Sequence, residues 1–352
     1  MPKKQQTLSQ RNFIKIRMNY IGSKLKLLPF LQQSIESTLK KHNTKPLEDS
    51  IFCDMFAGSG AVGRAFKPKV KQIISNDKEY YSFVLNQNYI ANHTPLIRTN
   101  ELLTILNNTP LKKGKIFTHY ALGGGGGRQY FSDENAMKID GIRERIAAWR
   151  QSGFIDEKEF YFLLASLLES SDRVANTACV YGAFLKSLKK SATKELVLSS
   201  AVFEYSQNTH KVFNEDSQHL ITQISGDILY LDPPYNAREY GANYHLLNTI
   251  ALYDDFTPRG KTGLRAYEKS AWCKKGCVEN ALDFLLERAR FEWIFLSYND
   301  EGLLSLEKIE KLMKKYGKYS CVKQDYQRFK ADSTRLQKQS KTIEYLHILQ
   351  KC

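Results

Sequence analysis

Gly226-Asp227-Ile228-Leu229-Tyr230-Leu231-Asp232-Pro233-Pro234-Tyr235 reads as a strand that runs into a loop. The apolar run 227–231, opened by Gly226 and closed by Pro233, predicts a strand buried in a parallel sheet. Asp232 to Tyr235 then sit at its carboxyl end, the side on which open α/β sheets bind ligands. The Asp232 carboxylate can accept a hydrogen bond from an amino group. Proline has no N–H and a fixed φ, so the Pro233 carbonyl can be held outward as a second acceptor, and Pro234 stiffens the same turn. Two acceptors aimed at one amine draw its lone pair out of conjugation and make the nitrogen a better nucleophile. Tyr235 offers a face on which a base can stack, worth about 1–3 kcal/mol. The plainer alternative is a strand-ending Asp-Pro turn with a buried tyrosine.

A second motif weighs against that alternative. Residues 51–56, Ile-Phe-Cys-Asp-Met-Phe, form another apolar strand and lead into Ala57-Gly58-Ser59-Gly60-Ala61-Val62-Gly63. Glycines let the backbone turn sharply and approach a ligand closely. About twenty residues on, the run 73–77 reads as the next strand and ends in Asp77, an acid at the spacing that holds ribose hydroxyls. Gly58-x-Gly60-x-x-Gly63 also satisfies the dinucleotide fingerprint, so a nicotinamide enzyme competes here. Two details favour S-adenosyl-L-methionine. Asp54 would place a carboxylate near the cofactor, useful against a cationic amino acid end and awkward beside a pyrophosphate. A hydride-transfer enzyme has no evident use for Asp-Pro-Pro-Tyr.

Asp54-Met55-Phe56-Ala57-Gly58-Ser59-Gly60 followed by Asp232-Pro233-Pro234-Tyr235 resembles the alpha group of amino-methyltransferases, the Dam-like DNA adenine-N6 methyltransferase family. Asn19-Tyr20-Ile21-Gly22-Ser23-Lys24 is similar to a short stretch that precedes the glycine loop there. The run 236–245 resembles the extended loop of restriction-modification members that act on short palindromes such as CATG. The resemblance spans the chain from about Asn19 to its last strand. It implies an α/β fold: a Rossmann-like methyltransferase sheet with helices on both faces, plus a mostly helical target-recognition insertion. It implies methyl transfer from S-adenosyl-L-methionine to the exocyclic amine of an adenine flipped out of double-stranded DNA. Asp232, Pro233, Pro234 and Tyr235 would be catalytic. Tyr20, Lys24, Asp54, Phe56, Gly58, Gly60, Asp77 and Asp216 would hold the cofactor, Lys24 at its carboxylate and Asp216 at its adenine. A type II restriction-modification setting in the bacterial cytoplasm follows, with a cognate endonuclease as functional partner and the enzyme itself a monomer. An RNA or protein amine, a cytosine amine, a nicotinamide cofactor and a non-catalytic DNA-binding regulator stay open as alternatives.

Composition agrees. The 352 residues carry a formal net charge of +15, which suits a polyanionic partner. Aromatics at 12% allow for base-stacking surfaces besides a core. The longest apolar runs fall short of a membrane span, and the polar, basic start carries no apolar signal core, so neither membrane insertion nor secretion is expected. The cysteines at 53, 179, 273, 277, 321 and 352 are scattered. Only Cys273 and Cys277 are close, and no second pair completes a zinc site, so reduced thiols and no metal are expected.

The motifs divide the chain into a mobile basic tail (1–18), a cofactor and catalytic domain (19–100 and 202–352) and a helical insertion (101–201). Helical spacing is evident over 24–37, 79–90, 133–149 and 279–290. Asp156-x-x-Glu159 predicts a capping box for a helix through Leu168. The glycine run 123–127 is a DNA-contacting loop or a flexible joint. Lys186, Lys189, Lys190 and Lys194 in the insertion, Arg238 after the catalytic tetrapeptide, and Arg259 and Lys261 in a basic loop over 254–277 are candidates for phosphate contact. So are Lys323, Arg328, Lys330 and Arg335, before a last strand at 342–349. A further strand is predicted over 291–297.

Overall fold

The computed structural model describes Met18 and residues 20–327 and 341–351. Its strands are β1 (Ile51–Asp54), β2 (Gln72–Asn76), β3 (Lys211–Phe213), β4 (Gly226–Leu231), β5 (Phe291–Asn299), β6 (Gly317–Gln327) and β7 (Lys341–Lys351). They form a seven-stranded sheet in the order β3-β2-β1-β4-β5-β7-β6. The first five in chain order are parallel, and β7 runs antiparallel between β5 and β6. The order reverses between β1 and β4. At such a switch point the loops leaving the two strands diverge and open a crevice at their carboxyl ends.

The expected helices cover both faces, and the period-2 alternation of the strands shows how. Phe52, Ile228, Tyr230, Trp293, Phe295, Leu346 and Ile348 point to one face and join a core with Leu31, Ile35, Val62, Phe66, Val84 and Leu85 from the helices Leu28–Lys41, Ala61–Phe66 and Tyr80–Asn86. Cys53, Leu229, Leu231, Ile294, Leu296 and Leu349 point the other way, onto the helices Val278–Arg288 and Leu306–Lys314. The near-continuous apolar reading of β4 and β5 is the consequence of burial on both sides.

The insertion is helical, as expected, but its first helix is Thr99–Asn107, two residues before the predicted boundary. Helices Lys115–Tyr120, Asp133–Gln151 and Glu157–Val174 follow. The Asp156–Glu159 capping box is formed, and its helix continues to Val174, beyond the predicted end at Leu168. Ile139, Ile142, Ile146, Leu163 and Leu167 merge into the same core as the first sheet face, so the insertion shares the core of the catalytic half. Residues 175–206 form no helix or strand and lean on asparagine amides instead. Asn135 and Asn107 each accept from and donate to backbone groups of Leu196 or its neighbours Lys194 and Leu198, while Asn176 bonds Gln129, Leu185 and Lys189. An amide side chain presents the donor and acceptor a strand partner would.

Several elements depart from the expectation. The helix predicted over 79–90 is Tyr80–Asn86 followed by a π-helical turn, Gln87–Ala91. The stretch 236–245, expected as loop, contains the helix Tyr240–Asn243 and leads into His245–Leu252. Strands β3 and β6 were not expected; Lys323 precedes β7 as expected and itself lies within β6. Met18 is buried in the core and so is no part of a tail. Residues 1–17 and Asn19 lie outside the described residues, as do Arg328, Lys330 and Arg335.

Candidate active site

The crevice between the ends of β1 and β4 is a cleft open to solvent. It brings together Tyr20, Lys24, Asp54, Phe56, Gly58, Asp77, Asp216, Asp232 and Pro234. These residues come from opposite ends of the sequence, and strand order makes them neighbours: Asp54 is in register with Tyr230, and Met55 N–H donates to Tyr230 O at 3.1 Å.

The glycine loop is held from three sides. Gly58 N–H donates to Asp77 Oδ2 at 2.8 Å, and Ser82 Oγ donates to Gly58 O at 2.6 Å. Gly63 N–H donates to Asp54 Oδ2 at 3.0 Å. Gly60 does not line the cleft. Its φ of +77° makes the turn into the helix Ala61–Phe66, and a Cβ there would meet Asn86 Oδ1 at 2.8 Å. That turn is one that glycine alone makes without strain. Asp77 bonds Gly58 N–H and Glu79 N–H, so it orders the loop besides facing the cleft. Burial raises its pKa, and burial pushes the Asp54 carboxyl up to about 8, with the Asp232 and Asp77 carboxylates adding to the shift.

Lys24 was expected to face the cofactor carboxylate. It lines the cleft, and its ammonium sits 3.0 Å from Asp232 Oδ1 and 2.8 Å from Glu344 Oε1, with Lys24 and Glu344 at most 5% exposed and Asp232 15%. Burial opposes the charge of Lys24, yet the two carboxylates raise its pKa well above the ordinary value. Burial pushes Asp232 up to about 6, against the pull of Lys24, so at neutral pH it is mostly an ionised acceptor.

Pro233 is buried and does not line the cleft. Tyr235 packs edge-on against Tyr298, with Lys24 Nζ 5.6 Å from its ring centre. Tyr20 stacks on Tyr244, with ring centres 4.8 Å apart, and Ile21 N–H donates to the Tyr244 hydroxyl at 2.7 Å. Asp216 caps the short helix Ser217–Leu220 and lies 3.5 Å from Lys78, which also pairs with Glu268.

Sequence reasoning missed Lys78, Glu79, Glu239, Glu268, Trp272 and Glu344. Glu268, Ser270, Trp272 and Cys273 belong to the stretch read as a DNA-facing loop, but they fold back onto the cleft. Trp272 meets Phe56 edge-on at 5.0 Å and donates to Ser217 Oγ at 3.1 Å. Glu344 had a signal: in Thr342-Ile343-Glu344-Tyr345-Leu346-His347-Ile348 it keeps the phase of Leu346 and Ile348, an acid in a buried register.

The candidate DNA contacts lie apart from the cleft floor. Lys186, Lys190, Arg238, Arg259 and Lys261 are exposed. Lys189 is half-buried and donates to Thr177 O at 2.6 Å, so it is committed to its own loop. Arg259 and Lys261 ride a tight hairpin closed by paired backbone bonds between Arg259 and Leu264. Arg128, just after the glycine run, donates to the carbonyls of His119, Gly260 and Lys261 and clamps that hairpin to the insertion.

Chemically, the cleft suits a cationic ligand with a diol and a flat ring. Carboxylates line it, and Phe56, Val62 and Trp272 supply an apolar wall. The Gly63 N–H in the first turn of the following helix is taken by Asp54 rather than left for a phosphate.

Comparison with known proteins agrees with this geometry. The family profile described as D12 class N6 adenine-specific DNA methyltransferase matches residues 20–317. The type II methyltransferase M.NlaIII of Neisseria lactamica is 56% identical over 336 residues, which cover 95% of this chain and 99% of that one. M.CviAII, a type II methyltransferase of Paramecium bursaria Chlorella virus 1, is 37% identical over 90% of this chain and 93% of its own length. M.FokI of Planomicrobium okeanokoites, also a type II methyltransferase, is 41% identical over 95% of this chain, which spans 53% of that longer protein.

Proposed function

We propose, from the premise that this chain belongs to the D12 class of N6 adenine-specific DNA methyltransferases, that its cleft takes S-adenosyl-L-methionine as methyl donor and Asp232 receives the flipped adenine. The observation that carries the assignment is that Asp232 and Gly58 line one cleft. When bound, the cofactor supplies a methyl group activated by its sulfonium. Asp54, Asp77 and Asp216 would hold its polar groups, and Phe56 and Trp272 its flat ring.

The remaining work falls to the protein. Asp232, which lines the cleft, orients the amine and accepts its hydrogen bond, which localises the nitrogen lone pair. Positioning two reactants within one cleft lowers the barrier without a strong base. Tyr235, half-buried after the tetrapeptide's prolines, and the cleft-lining Tyr20 and Tyr240 supply aromatic faces for the extruded base. The insertion, together with the Arg259–Lys261 hairpin and Lys186, Lys190 and Arg238, bears on the duplex, where phosphate contacts give salt-dependent affinity.

The relatives' type II class supports a role beside a cognate endonuclease. We place the enzyme as a monomer in the bacterial cytoplasm, and among the described residues no helix is long and apolar enough to cross a membrane. Expression in a host without its own methylases should leave N6-methyladenine within one short sequence, read by methylation-sensitive sequencing. N4-methylcytosine alone, or unmodified DNA, overturns the assignment.

A pH profile follows. Asp232 must be ionised to accept the amine, and burial, opposed by Lys24, sets its pKa at about 6. Turnover should therefore be constant above neutrality and fall as pH drops through about 6. A profile flat to well below that point would remove Asp232 from the rate.

A further inference from the structure

Besides the tetrapeptide, a buried carboxylate from late in the sequence, Glu344, reaches the cleft-lining Lys24. Strand β7 pairs with β5 so that Glu344 lies opposite Asn299, two residues beyond Ser297. Asp54, Asp232, Ser297 and Glu344 all keep the phase of Phe52, Tyr230, Phe295 and Leu346, and therefore project to one face of the sheet. On that face Glu344 Oε1 receives Ser297 Oγ at 2.8 Å and the Lys24 ammonium at 2.8 Å. Lys24 is thus shared between two carboxylates, one of them Asp232.

We propose that Glu344 is a positioning residue for methyl transfer, holding Lys24 so that its charge is divided and Asp232 keeps the capacity to accept the substrate amine. The inference rests on the assignment of Asp232 as amine acceptor. The ionisable groups that interact with Asp232 are Lys24, Glu344, Asp54, Tyr230 and Tyr240, and Lys24 is the cation among them. A lysine given wholly to Asp232 would occupy its oxygen and lower its basicity, the two properties the amine requires. A second carboxylate on the same ammonium prevents this. An acid in the buried phase of a strand is costly unless paired, and among the bonds described Glu344 is paired through Lys24 and Ser297.

The test compares wild type, Glu344→Gln and Asp232→Asn in the full chain, by labelled-methyl transfer to duplex DNA across pH. Cofactor titration calorimetry and thermal melting run in parallel. Glutamine keeps a carbonyl for Ser297 and Lys24 and removes the charge. The acid limb of turnover should move to lower pH, and kcat at neutral pH should fall about tenfold, the order of one charged hydrogen bond, with cofactor affinity close to wild type. An acid limb unmoved in Glu344→Gln overturns the proposal and leaves Glu344 as a structural bolt of β7. Wild-type turnover in Asp232→Asn would instead remove the assignment beneath it. Should Glu344→Gln fail to fold, Ser297→Ala decides. It removes one hydrogen bond from Glu344 Oε1, draws Lys24 toward Glu344 and moves the limb to higher pH, whereas no movement again overturns the proposal.

Discussion

Asp232→Ala should lower methyl transfer about a thousandfold while cofactor affinity stays within a few-fold of wild type. The magnitude is what a preorganised acceptor and the alignment of two reactants are worth together. The fold should survive, because Glu344 still holds Lys24 at 2.8 Å and the substitution leaves no unpaired cation. Single-turnover methylation of a duplex gives the chemical step, calorimetry gives cofactor binding, and a melting curve checks the fold. A variant that methylates within about tenfold of wild type would mean the amine is oriented elsewhere, and the cleft would need another acceptor.

Lys24→Ala should be nearly as damaging, through a different route. Sequence motif alone gives Lys24 a cofactor-binding role, with a weakened cofactor as the main effect. The structure puts its ammonium between Asp232 and Glu344, both largely buried. Removing it leaves two carboxylates facing one another without a cation, a loss on the order of 3 kcal/mol unless a proton takes its place. A proton does so readily, because burial already holds Asp232 at about 6 and Lys24 is what pulls it down. The melting temperature should fall, and the acid limb of turnover should move to higher pH, opposite to the shift expected for Glu344→Gln. At neutral pH kcat should therefore drop, recovering in part as pH is raised. If only cofactor affinity changes, and kcat at saturation and the pH limb stay put, the ion-pair account of Lys24 is wrong and the motif-based role stands.

Much of the site was legible because its chemistry is local in sequence. A strand, a glycine turn and an acid one strand later can be read from 51–77. The same holds for 226–235, where the prolines mark the strand's end. Both motifs proved to lie at the carboxyl ends of parallel strands, and the capping box at Asp156 and Glu159 formed as written. The weaker expectations rested on composition. Positive charge cannot tell a phosphate contact from a lysine that closes its own loop, and Lys189 is the second kind. The basic stretch 254–277 mixes both fates: Arg259 and Lys261 stay exposed, while Glu268 and Trp272 line the cleft.

Periodicity identified β4, β5 and β7 as strands without telling which strands they would lie beside. Apolar runs and turn residues are properties of neighbours along the chain, so the amino-acid order determined most of the elements and the family. Only the folded sheet decided that β1 and β4 would be adjacent, that Lys24 would be shared, and that Glu344 would be the second acid to share it. The reason is register. Side chains alternate across a strand, so a slip of one residue between β5 and β7 would turn Glu344 to the opposite face, and no local pattern sets that pairing.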